Sequence, residues 1–590
     1  MFYCKIIVVL PHSQAVRQWT LTPLRVSSNL TGAAKLRGDN MTKEERLELA
    51  EILFPNLEHT KDHYEKLYPK RNLDKNAMVT RFGPSPTGFV HMGSLFGSFC
   101  DYIFARQTNG VFFLRIEDTD QKRSVENGIE GIFNDLDAFE IIPDESSRVG
   151  GDYGPYIQSE RTEIYQTYVK DLIKEGYAYP CFMSEDEIAS IREEQEINKT
   201  KIGIYGMYAQ DRDLSLNEVK EKLKANEEYV IRLKSPGDQN KEVEIIDCVK
   251  GKIKFPENDM DIVLLKKDGT PTYHLAHVID DHLMHTTHVI RGDEWVSSIP
   301  LHIQLFDILG FERPEYVHTA AITKKENGNI RKLSKRKDPE AKVSYYDEVG
   351  IPIDAVKLYL ATILNSNFEE WYLQNPDKTI SDFTFTFDKM AIGGTLFDLD
   401  KLNNISKTYF SHKSGEEVYE ETLSWAEKHD LEYAKLLEEN KEDMIKFLSI
   451  EKDGARPRKD ISKYSEVKEE FSYAIDSLFE KENYSKNESE KIYDTNLILD
   501  YINNYLDLDT DNDSWFNKVK EFASSNGYAS SPKDYKNNPE DFKGHVGDIC
   551  EAIRVMITGR LKSPDLFSIM KILGKDRIIK RIELYKNSVN

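Results

Sequence analysis

The stretch from residue 79 to residue 94, V-T-R-F-G-P-S-P-T-G-F-V-H-M-G-S, constrains the fold more than any other part of the sequence. An apolar lead that ends at Arg81 predicts a short buried strand, and the Gly- and Pro-rich run 83–88 predicts a tight turn. The apolar residues that follow are spaced as in a helix, which predicts a helix that begins near His91 and Gly93. Free backbone N–H groups and the positive end of the helix dipole would then face one point, so the stretch predicts a site for nucleotide phosphates.

Taken alone, this pattern also fits a strand–helix joint whose glycines and prolines have only steric roles. A basic cluster, R-K-L-S-K-R-K at 331–337, lies in a run rich in Lys, Gly and Asn that predicts a loop able to close over the same phosphates. Together the two stretches resemble the two motifs of class I aminoacyl-tRNA synthetases, HIGH (here 91–94) and KMSKS (here 332–336).

Two flanking motifs show which members of this class the chain resembles most. R-F-G-P-S-P-T-G at 81–88 and R-I-E-D-T-D at 115–120 are similar to bacterial-type glutamyl-tRNA synthetases. Glutaminyl and eukaryotic glutamyl enzymes usually show P-x-P-N/S-G and D-D-T-N at these places. The chain is therefore identified by resemblance as a relative of the bacterial glutamyl enzymes.

The resemblance implies the fold class: an α/β Rossmann-like class I synthetase catalytic domain with an inserted acceptor-binding domain, followed by an all-α anticodon-binding domain. The expected division is an N-terminal extension (1–40), a leading helical segment (41–76), the catalytic domain (77–338) with an acceptor-stem insertion at about 158–272, a tRNA stem-contact domain (339–400), and the helical anticodon-binding domain (401–590). Residues 415–545 carry no motif that we recognise.

The N-terminal extension, 1–40, is basic and contains one acidic residue, Asp39. It fits either a targeting segment or a stretch translated from an over-early start. The second interpretation is favoured because Met41 opens an amphipathic helical pattern in which Thr42 and Glu45 form a capping box.

Composition sets the broad class. The chain has 590 residues, of which 31% are charged, which is enough for three or more domains. No run of 18 apolar residues exists, so no membrane span is predicted, and five widely spaced cysteines predict reduced thiols in a cytoplasmic protein. The net charge of −23 argues against non-specific nucleic-acid binding, so local basic patches must hold any tRNA.

Several local elements are also predicted. Residues 111–116 read as a buried strand with the acids of 117–120 at its carboxyl end, where they either form a solvated turn or bind a substrate ammonium or ribose hydroxyl. Ser124 is a candidate N-cap for a helix whose apolar face would begin at Val125. The insertion reads as β-rich, with strands near 230–234 and 262–265.

The resemblance also assigns site residues. The catalytic residues are His91, Lys332 and Lys335. The residues implied for ATP binding are Thr87, Gly88, His91, Gly93, Ser94, Glu294, Leu333, Ser334 and Lys335. The residues implied for glutamate binding are Arg81, Ser85, Glu117, Tyr273, His277 and Arg291. His277 departs from the Asn or small residue that relatives often have there.

By the same resemblance the chain joins L-glutamate to tRNA(Glu) through a glutamyl-adenylate, with ATP and Mg²⁺, as a monomer that binds no membrane. The alternatives are an enzyme that also charges tRNA(Gln), a tRNA-binding pseudoenzyme, and a truncated relative that glutamylates a tRNA nucleoside. The long helical C-terminal region argues against the truncated relative. Arg81 and Arg291 would read the side-chain carboxylate, unless one of them pairs with Glu117 or Asp118.

A metal site has little support in the sequence. Five histidines lie between 274 and 288, but their spacings match no set of ligands on one face. Some glutamyl enzymes bind zinc through C-x-C and a later cysteine, whereas this chain has Cys181-Phe182-Met183 and no further cysteine before Cys248. No metal ligands are therefore predicted.

We predict that the purified protein contains no stoichiometric zinc, because Cys181 lacks the neighbouring thiolates of a tetrahedral site. Elemental analysis of the protein after exhaustive dialysis measures this. One zinc ion per chain, lost on Cys181→Ser, would contradict the prediction.

Overall fold

The computed structural model of the chain describes residues 40–88, 90–120, 125–334, 336–454, 456–481 and 491–589. The predicted N-cap Ser124, the predicted catalytic Lys335 and nearly all of the extension 1–40 lie outside the described residues. The capping box of Thr42 and Glu45 is confirmed, since each side chain accepts the other residue's backbone N–H.

The helices of the N-terminal two thirds of the chain cover the central sheet and the inserted segment. They are α1 (Lys43–Leu53), α2 (Lys61–Leu67), α3 (Met92–Gln107), α4 (Gly128–Ala138), α5 (Thr162–Glu175), α6 (Glu185–Asn198), α7 (Leu216–Lys224), α8 (Tyr273–Leu283), α9 (Ile299–Leu309), α10 (Ser344–Val349), α11 (Ile353–Leu364) and α12 (Phe368–Gln374).

The strands are β1 (Val79–Phe82), β2 (Val111–Leu114), β3 (Ala178–Cys181), β4 (Val230–Leu233), β5 (Glu242–Asp247), β6 (Gly251–Pro256), β7 (Val263–Leu265), β8 (His288–Gly292), β9 (Glu315–Thr319), β10 (Ile322–Glu326), β11 (Asn329–Lys332) and β12 (Thr395–Leu396). They fall into four hydrogen-bonded groups, with orders β1-β2, β3-β4-β7, β6-β5-β9-β8 and β11-β10-β12.

Parallel pairing organises the core. β1 runs parallel to β2 and β8 runs parallel to β9. The two pairs lie side by side, because the Thr287 N–H just before β8 donates to the Val79 carbonyl at 3.0 Å. Phe112 and Leu114 pack with α3 and α11 on one face, whereas Phe113 packs with α5 and α8 on the other. The strand is thus buried on both faces, as its continuous apolar sequence predicts.

Residues 158–272, which were predicted to be rich in strands, also contain three helices. The strands near 230 and 263 are confirmed as β4 and β7 of an antiparallel group, but α5, α6 and α7 lie in the same segment. Their amphipathic sequences carry charged outer faces, and the prediction gave more weight to the short strands between them.

The predicted start of the helix after β2 is wrong. α4 begins at Gly128, and Val125 is exposed instead of opening an apolar face. Asn127 has φ 58°. Because this left-handed conformation cannot continue a helix, the chain enters α4 only after Asn127.

From residue 399 onward the described residues form helices and no named strand, in agreement with the predicted all-α region. They are α13 (Leu399–His412), α14 (Gly415–His429), α15 (Leu431–Glu439), α16 (Lys441–Ser449), α17 (Tyr464–Glu470), α18 (Asp476–Phe479), α19 (Thr495–Asn504), α20 (Asn512–Ser525), α21 (Pro532–Asn537), α22 (Val546–Thr558) and α23 (Leu566–Val589), the last interrupted at Gly574. These helices share one apolar core that spans the motif-free region 415–545.

A buried charge network ties α8 to the sheet and to α5. Asp281 lies 2.8 Å from the Arg115 guanidinium and 3.3 Å from that of Arg81. Its neighbour Asp280 accepts hydrogen bonds from Arg161 Nε at 2.7 Å and from the Tyr165 hydroxyl at 2.8 Å. All of these side chains are buried, so each carboxylate is stable there only because cationic and hydrogen-bonding partners surround it.

We predict that Asp280→Ala destabilises the protein by about 3–5 kcal/mol, because it leaves the buried Arg161 guanidinium without its carboxylate. Chemical denaturation followed by tryptophan fluorescence measures the change. The control is Asp307→Ala, which removes an exposed ion pair with Arg313 and should cost less than about 1 kcal/mol. Equal small effects of the two substitutions would contradict the structural role of Asp280.

Candidate functional site

A cleft of about 1380 Å³ opens at the carboxyl ends of β1, β2 and β8. Such edges of parallel sheets are the usual ligand sites of α/β folds. Among the described residues, the cleft brings together twelve of the residues that the sequence analysis assigned to the site. They are Arg81, Ser85, Thr87, Gly88, His91, Gly93, Ser94, Glu117, Tyr273, Arg291, Glu294 and Lys332.

The N-terminus of α3 forms one end of the cleft. His91 is the N-cap, and its Nδ1 accepts the Gly93 backbone N–H at 2.9 Å. Because Nδ1 is the acceptor, the neutral ring carries its proton on Nε2, where it can serve as a donor. The 16-residue helix adds the positive end of its dipole at the same place. This end of the cleft is therefore suited to an anion such as a phosphate.

The basic motif belongs to a hairpin. β10 and β11 pair in antiparallel fashion, and Lys332 is the last residue of β11, so the first two residues of the predicted basic loop, 331 and 332, lie in a strand. The Lys332 Nζ lies 3.5 Å from Glu294 Oε1, and both side chains are more than half exposed. Such an exposed pair is weak, so Lys332 can exchange Glu294 for an anionic ligand at little cost.

Asp338 holds the base of this hairpin. It accepts two hydrogen bonds from Arg331, at 2.6 and 2.8 Å, and one from the Ser334 N–H at 2.9 Å. The hydrogen bonds from Arg331 lower the pKa of Asp338 well below its usual range. The carboxylate therefore stays ionised and fixes the hairpin next to the cleft.

The acidic side of the cleft is Glu117, which is 8% exposed. Burial raises its pKa, and the Arg115 guanidinium 3.0 Å away opposes that rise. A Cβ atom on Gly83 would lie 2.4 Å from Glu117 Oε1, so only glycine lets the carboxylate occupy this position. Asp118 is committed elsewhere, because it accepts the N–H and hydroxyl of Ser159 at 2.8 and 2.6 Å.

Arg291 on β8 is the guanidinium of the cleft that lacks a carboxylate partner among the described residues. Its Nε–H donates to His318 Nε2 at 3.0 Å, and its Nη1 donates to Tyr273 Oη at 3.4 Å and to His302 Nδ1 at 3.3 Å. Burial lowers the pKa of both histidines. These three acceptors and the Trp295 carbonyl, 3.5 Å from Nη2, are all uncharged groups, so the positive charge of Arg291 is held in place without being neutralised.

Arg81 differs from Arg291. Its Nε lies 3.3 Å from both oxygens of Asp281, and its side chain is 5% exposed. The two guanidinium groups of the cleft are therefore not equivalent. The alternative, in which one arginine forms a structural ion pair, describes it better, although the partner is Asp281 and not Glu117 or Asp118.

Of the assigned residues that the structure describes, three do not line the cleft. His277 is fully buried behind Tyr273, whose ring stacks on it at 5.6 Å, and its Nδ1 lies 2.8 Å from Asp281. Leu333 is 3% exposed and belongs to the core, and Ser334 does not line the cleft. Lys335 lies outside the described residues.

Sequence reasoning missed other residues at or behind the cleft. Trp295 and Lys266 line it, and the Lys266 ammonium donates to the Thr119 carbonyl. Arg115 and Asp281 support it from below. Asp281 lies in D-D-H at 280–282, and two adjacent acids in an otherwise apolar helix could have indicated buried partners.

Two negative findings apply to the described ranges. No group of three or more His, Cys, Asp or Glu side chains there is arranged to hold a metal ion. In the same ranges, no helix combines the length and apolarity that a membrane crossing requires.

Comparison with known proteins gives a consistent match. The family model "tRNA synthetases class I (E and Q), catalytic domain" matches residues 77–391, and the model "Anticodon binding domain" matches 533–585. A glutamate–tRNA ligase of Acetivibrio thermocellus is 47% identical over 91% of this chain and 98% of its own length. One of Clostridium perfringens is 45% identical over 90% and 99%.

Solved structures agree. The crystal structure of a glutamate tRNA ligase from Elizabethkingia meningosepticum, in complex with its amino acid, superposes with a TM-score of 0.69. It is 28% identical and covers 87% of this chain and all of that chain. The likeness therefore extends over the sheet, the inserted segment and the C-terminal helices together.

We predict that Gly83→Ala lowers the thermal unfolding midpoint, because the new Cβ must displace the Glu117 carboxylate from Arg115 or shift the backbone, at a cost of about 1–3 kcal/mol. Gly131→Ala is the control. Apart from the adjoining backbone of its own helix, nothing lies within 4 Å of the new Cβ, and alanine in a helix should stabilise by about 0.5–1 kcal/mol. Calorimetry of both variants should thus show shifts of opposite sign; a neutral Gly83→Ala would refute the packing argument.

Proposed function

This chain belongs to the class I tRNA synthetase family as a glutamate–tRNA ligase, and we propose that it joins L-glutamate to tRNA(Glu) in two steps. The α-carboxylate of glutamate attacks the α-phosphate of ATP, which releases pyrophosphate and forms glutamyl-adenylate. A ribose hydroxyl of the terminal adenosine of the tRNA then attacks the glutamyl carbonyl, and AMP leaves. Neither step needs a covalent enzyme intermediate, so the protein supplies positioning and charge stabilisation.

The ATP end of the proposed site is the N-terminus of α3 together with the β10–β11 hairpin. The donors at this end are His91 Nε2 and the Lys332 ammonium, and the Gly93 N–H holds the His91 ring in place through Nδ1. These donors suit the negative charge that develops on the phosphates in the transition state. Thr87, Gly88, Ser94 and Glu294 would complete the contacts to ATP, and we retain Ser334 and Lys335 as loop residues that close over the phosphates.

The glutamate end is the opposite wall. We assign Arg291 to the side-chain carboxylate, Glu117 to the α-ammonium, and Tyr273 and Ser85 to the walls of the pocket. The observation that carries this assignment is the charge of Arg291, which faces the cleft with only neutral acceptors around it. A carboxylate is the ligand that such a guanidinium group binds best.

Mg²⁺ is the metal that this reaction implies. The carboxylates of Asp120 and Glu294 line the cleft, and oxygen donors of this kind suit Mg²⁺. When bound, the ion would neutralise part of the phosphate charge. The residues of the chain orient the triphosphate and keep the attacking carboxylate in line with it.

The remaining parts of the chain are assigned by the same proposal. Residues 158–272 would receive the acceptor end of the tRNA, 339–400 its stem, and 401–590 its anticodon, with 41–76 as a supporting helical segment. We propose that the enzyme works as a cytoplasmic monomer. With a net charge of −23, tRNA binding should weaken strongly as salt is raised.

We predict that Arg291→Gln raises the KM for glutamate by about 10²-fold or more, with the KM for ATP changed less than threefold, because the side-chain carboxylate loses its charged partner. Pyrophosphate exchange with tRNA(Glu) present measures both constants. Arg313→Gln, at an exposed pair, is the matched control. Equal use of glutamine and glutamate by the unsubstituted protein would refute the assignment.

A further inference from the structure

Arg291 is held by a chain of side chains that crosses three strands. Arg291 on β8 and His318 on β9 are direct cross-strand partners, and Asp247 lies on β5, the next strand. Arg291 Nε is 3.0 Å from His318 Nε2, and His318 Nδ1 is 2.6 Å from Asp247 Oδ2. The side chains of His318 and Asp247 are completely buried, so water cannot substitute for either contact.

Backbone N–H groups hold the Asp247 carboxylate in place in addition to its contact with the His318 side chain. Its Oδ1 accepts the backbone N–H groups of Val249 and Lys250 at 2.9 and 2.8 Å, and Oδ2 also accepts the His318 N–H at 3.2 Å. Burial alone would raise the pKa of Asp247, but the hydrogen bonds from His318 and the turn lower it. The carboxylate is thus a fixed, ionised acceptor.

An ionised Asp247 determines the tautomer of His318. Burial lowers the pKa of the imidazole, which is therefore neutral with its proton on Nδ1, facing Asp247. Nε2 then presents a lone pair to Arg291 Nε–H. In the other tautomer an N–H would face an N–H, and the guanidinium would turn away.

We propose that His318 and Asp247 are positioning residues that orient the Arg291 guanidinium toward the side-chain carboxylate of glutamate. The inference rests on the proposed function of Arg291. Tyr273 Oη and His302 Nδ1 hold Nη1 from the other side, at the longer distances of 3.4 and 3.3 Å. The 3.0 Å contact at Nε is the shortest hydrogen bond of the Arg291 guanidinium with the described residues, so it sets the direction of the fork.

Two substitutions of His318 separate positioning from simple packing. His318→Asn keeps a polar atom near the Nδ1 position and loses the contact to Arg291, whereas His318→Gln can place an oxygen near the Nε2 position. We expect His318→Asn to raise the KM for glutamate about 10-fold or more, with kcat and the KM for ATP within about threefold of the unsubstituted values. His318→Gln should restore most of the loss.

His282→Asn is the matched control. His282 also pairs with a carboxylate, Glu65 at 3.1 Å, but it does not line the cleft or contact Arg291. The same exchange there should leave the KM for glutamate unchanged. Equal KM increases for His318→Asn and His318→Gln, or none for either, would overturn the inference.

Asp247→Asn gives a second, independent test. An asparagine must turn its NH₂ group either toward His318 or toward the Val249 and Lys250 N–H groups, so one donor always meets another donor. We expect an increase in the KM for glutamate of the same order as in His318→Asn. An unchanged KM in a folded Asp247→Asn protein would remove Asp247 from the chain.

The outcomes also distinguish this inference from the proposed function. If the unsubstituted protein shows no glutamate-dependent pyrophosphate exchange, the function itself fails. If exchange occurs and Arg291→Gln abolishes the preference for glutamate, while His318→Asn and Asp247→Asn leave the KM unchanged, only the positioning inference fails.

Discussion

The pairing of Asp281 with two arginines is the interaction on which the architecture of the cleft depends. Asp281 on α8 contacts Arg115, which follows β2, and Arg81 from β1, and Asp280 beside it contacts Arg161. With Glu117, three buried carboxylates face three buried guanidinium groups, so the network is balanced in formal charge. Removing any one of them would leave an uncompensated buried charge, which costs several kcal/mol. These ion pairs therefore hold α8 against the sheet and stabilise the strands that form the base of the cleft.

The same balance decides which arginine is available to a ligand. Arg81 and Arg115 both form ion pairs with Asp281, although both belong to motifs shared with the family. Arg291 lies one strand further along, where its neighbours are imidazoles and a phenol. A guanidinium already paired with a carboxylate gains little from another one. In the proposed assignment Arg291 therefore keeps its charge for the ligand. This difference between the arginines depends on contacts among three strands and α8, which lie far apart in the sequence.

Local pattern predicted much of this molecule. The strand–turn–helix at β1 and α3, the doubly covered β2, and the helical C-terminal region follow from periodicity and turn chemistry, which act over a few residues. The start of α4 was missed because a single left-handed Asn127 overrides the apolar spacing. His277 was misplaced and Asp247 and His318 were overlooked because their roles depend on contacts between residues far apart in sequence. His318 and Asp247, for example, are 71 positions apart.

The neutral surroundings of Arg291 also explain how one pocket can favour an acid over its amide. Glutamine and glutamate have nearly the same shape, so packing cannot separate them. His318, Tyr273 and His302 take the N–H groups of Arg291 Nε and Nη1, so a carboxylate ligand would accept from Nη2, and a hydrogen bond to a charged group contributes about 1.5–3 kcal/mol. An amide can accept only through its oxygen, and its NH₂ group would face the guanidinium without an acceptor. Because His318 and His302 already act as acceptors, they offer the NH₂ group no alternative partner without releasing Arg291. In the proposed assignment, the preference for glutamate thus arises from the direction and protonation of the groups behind the guanidinium as much as from its charge.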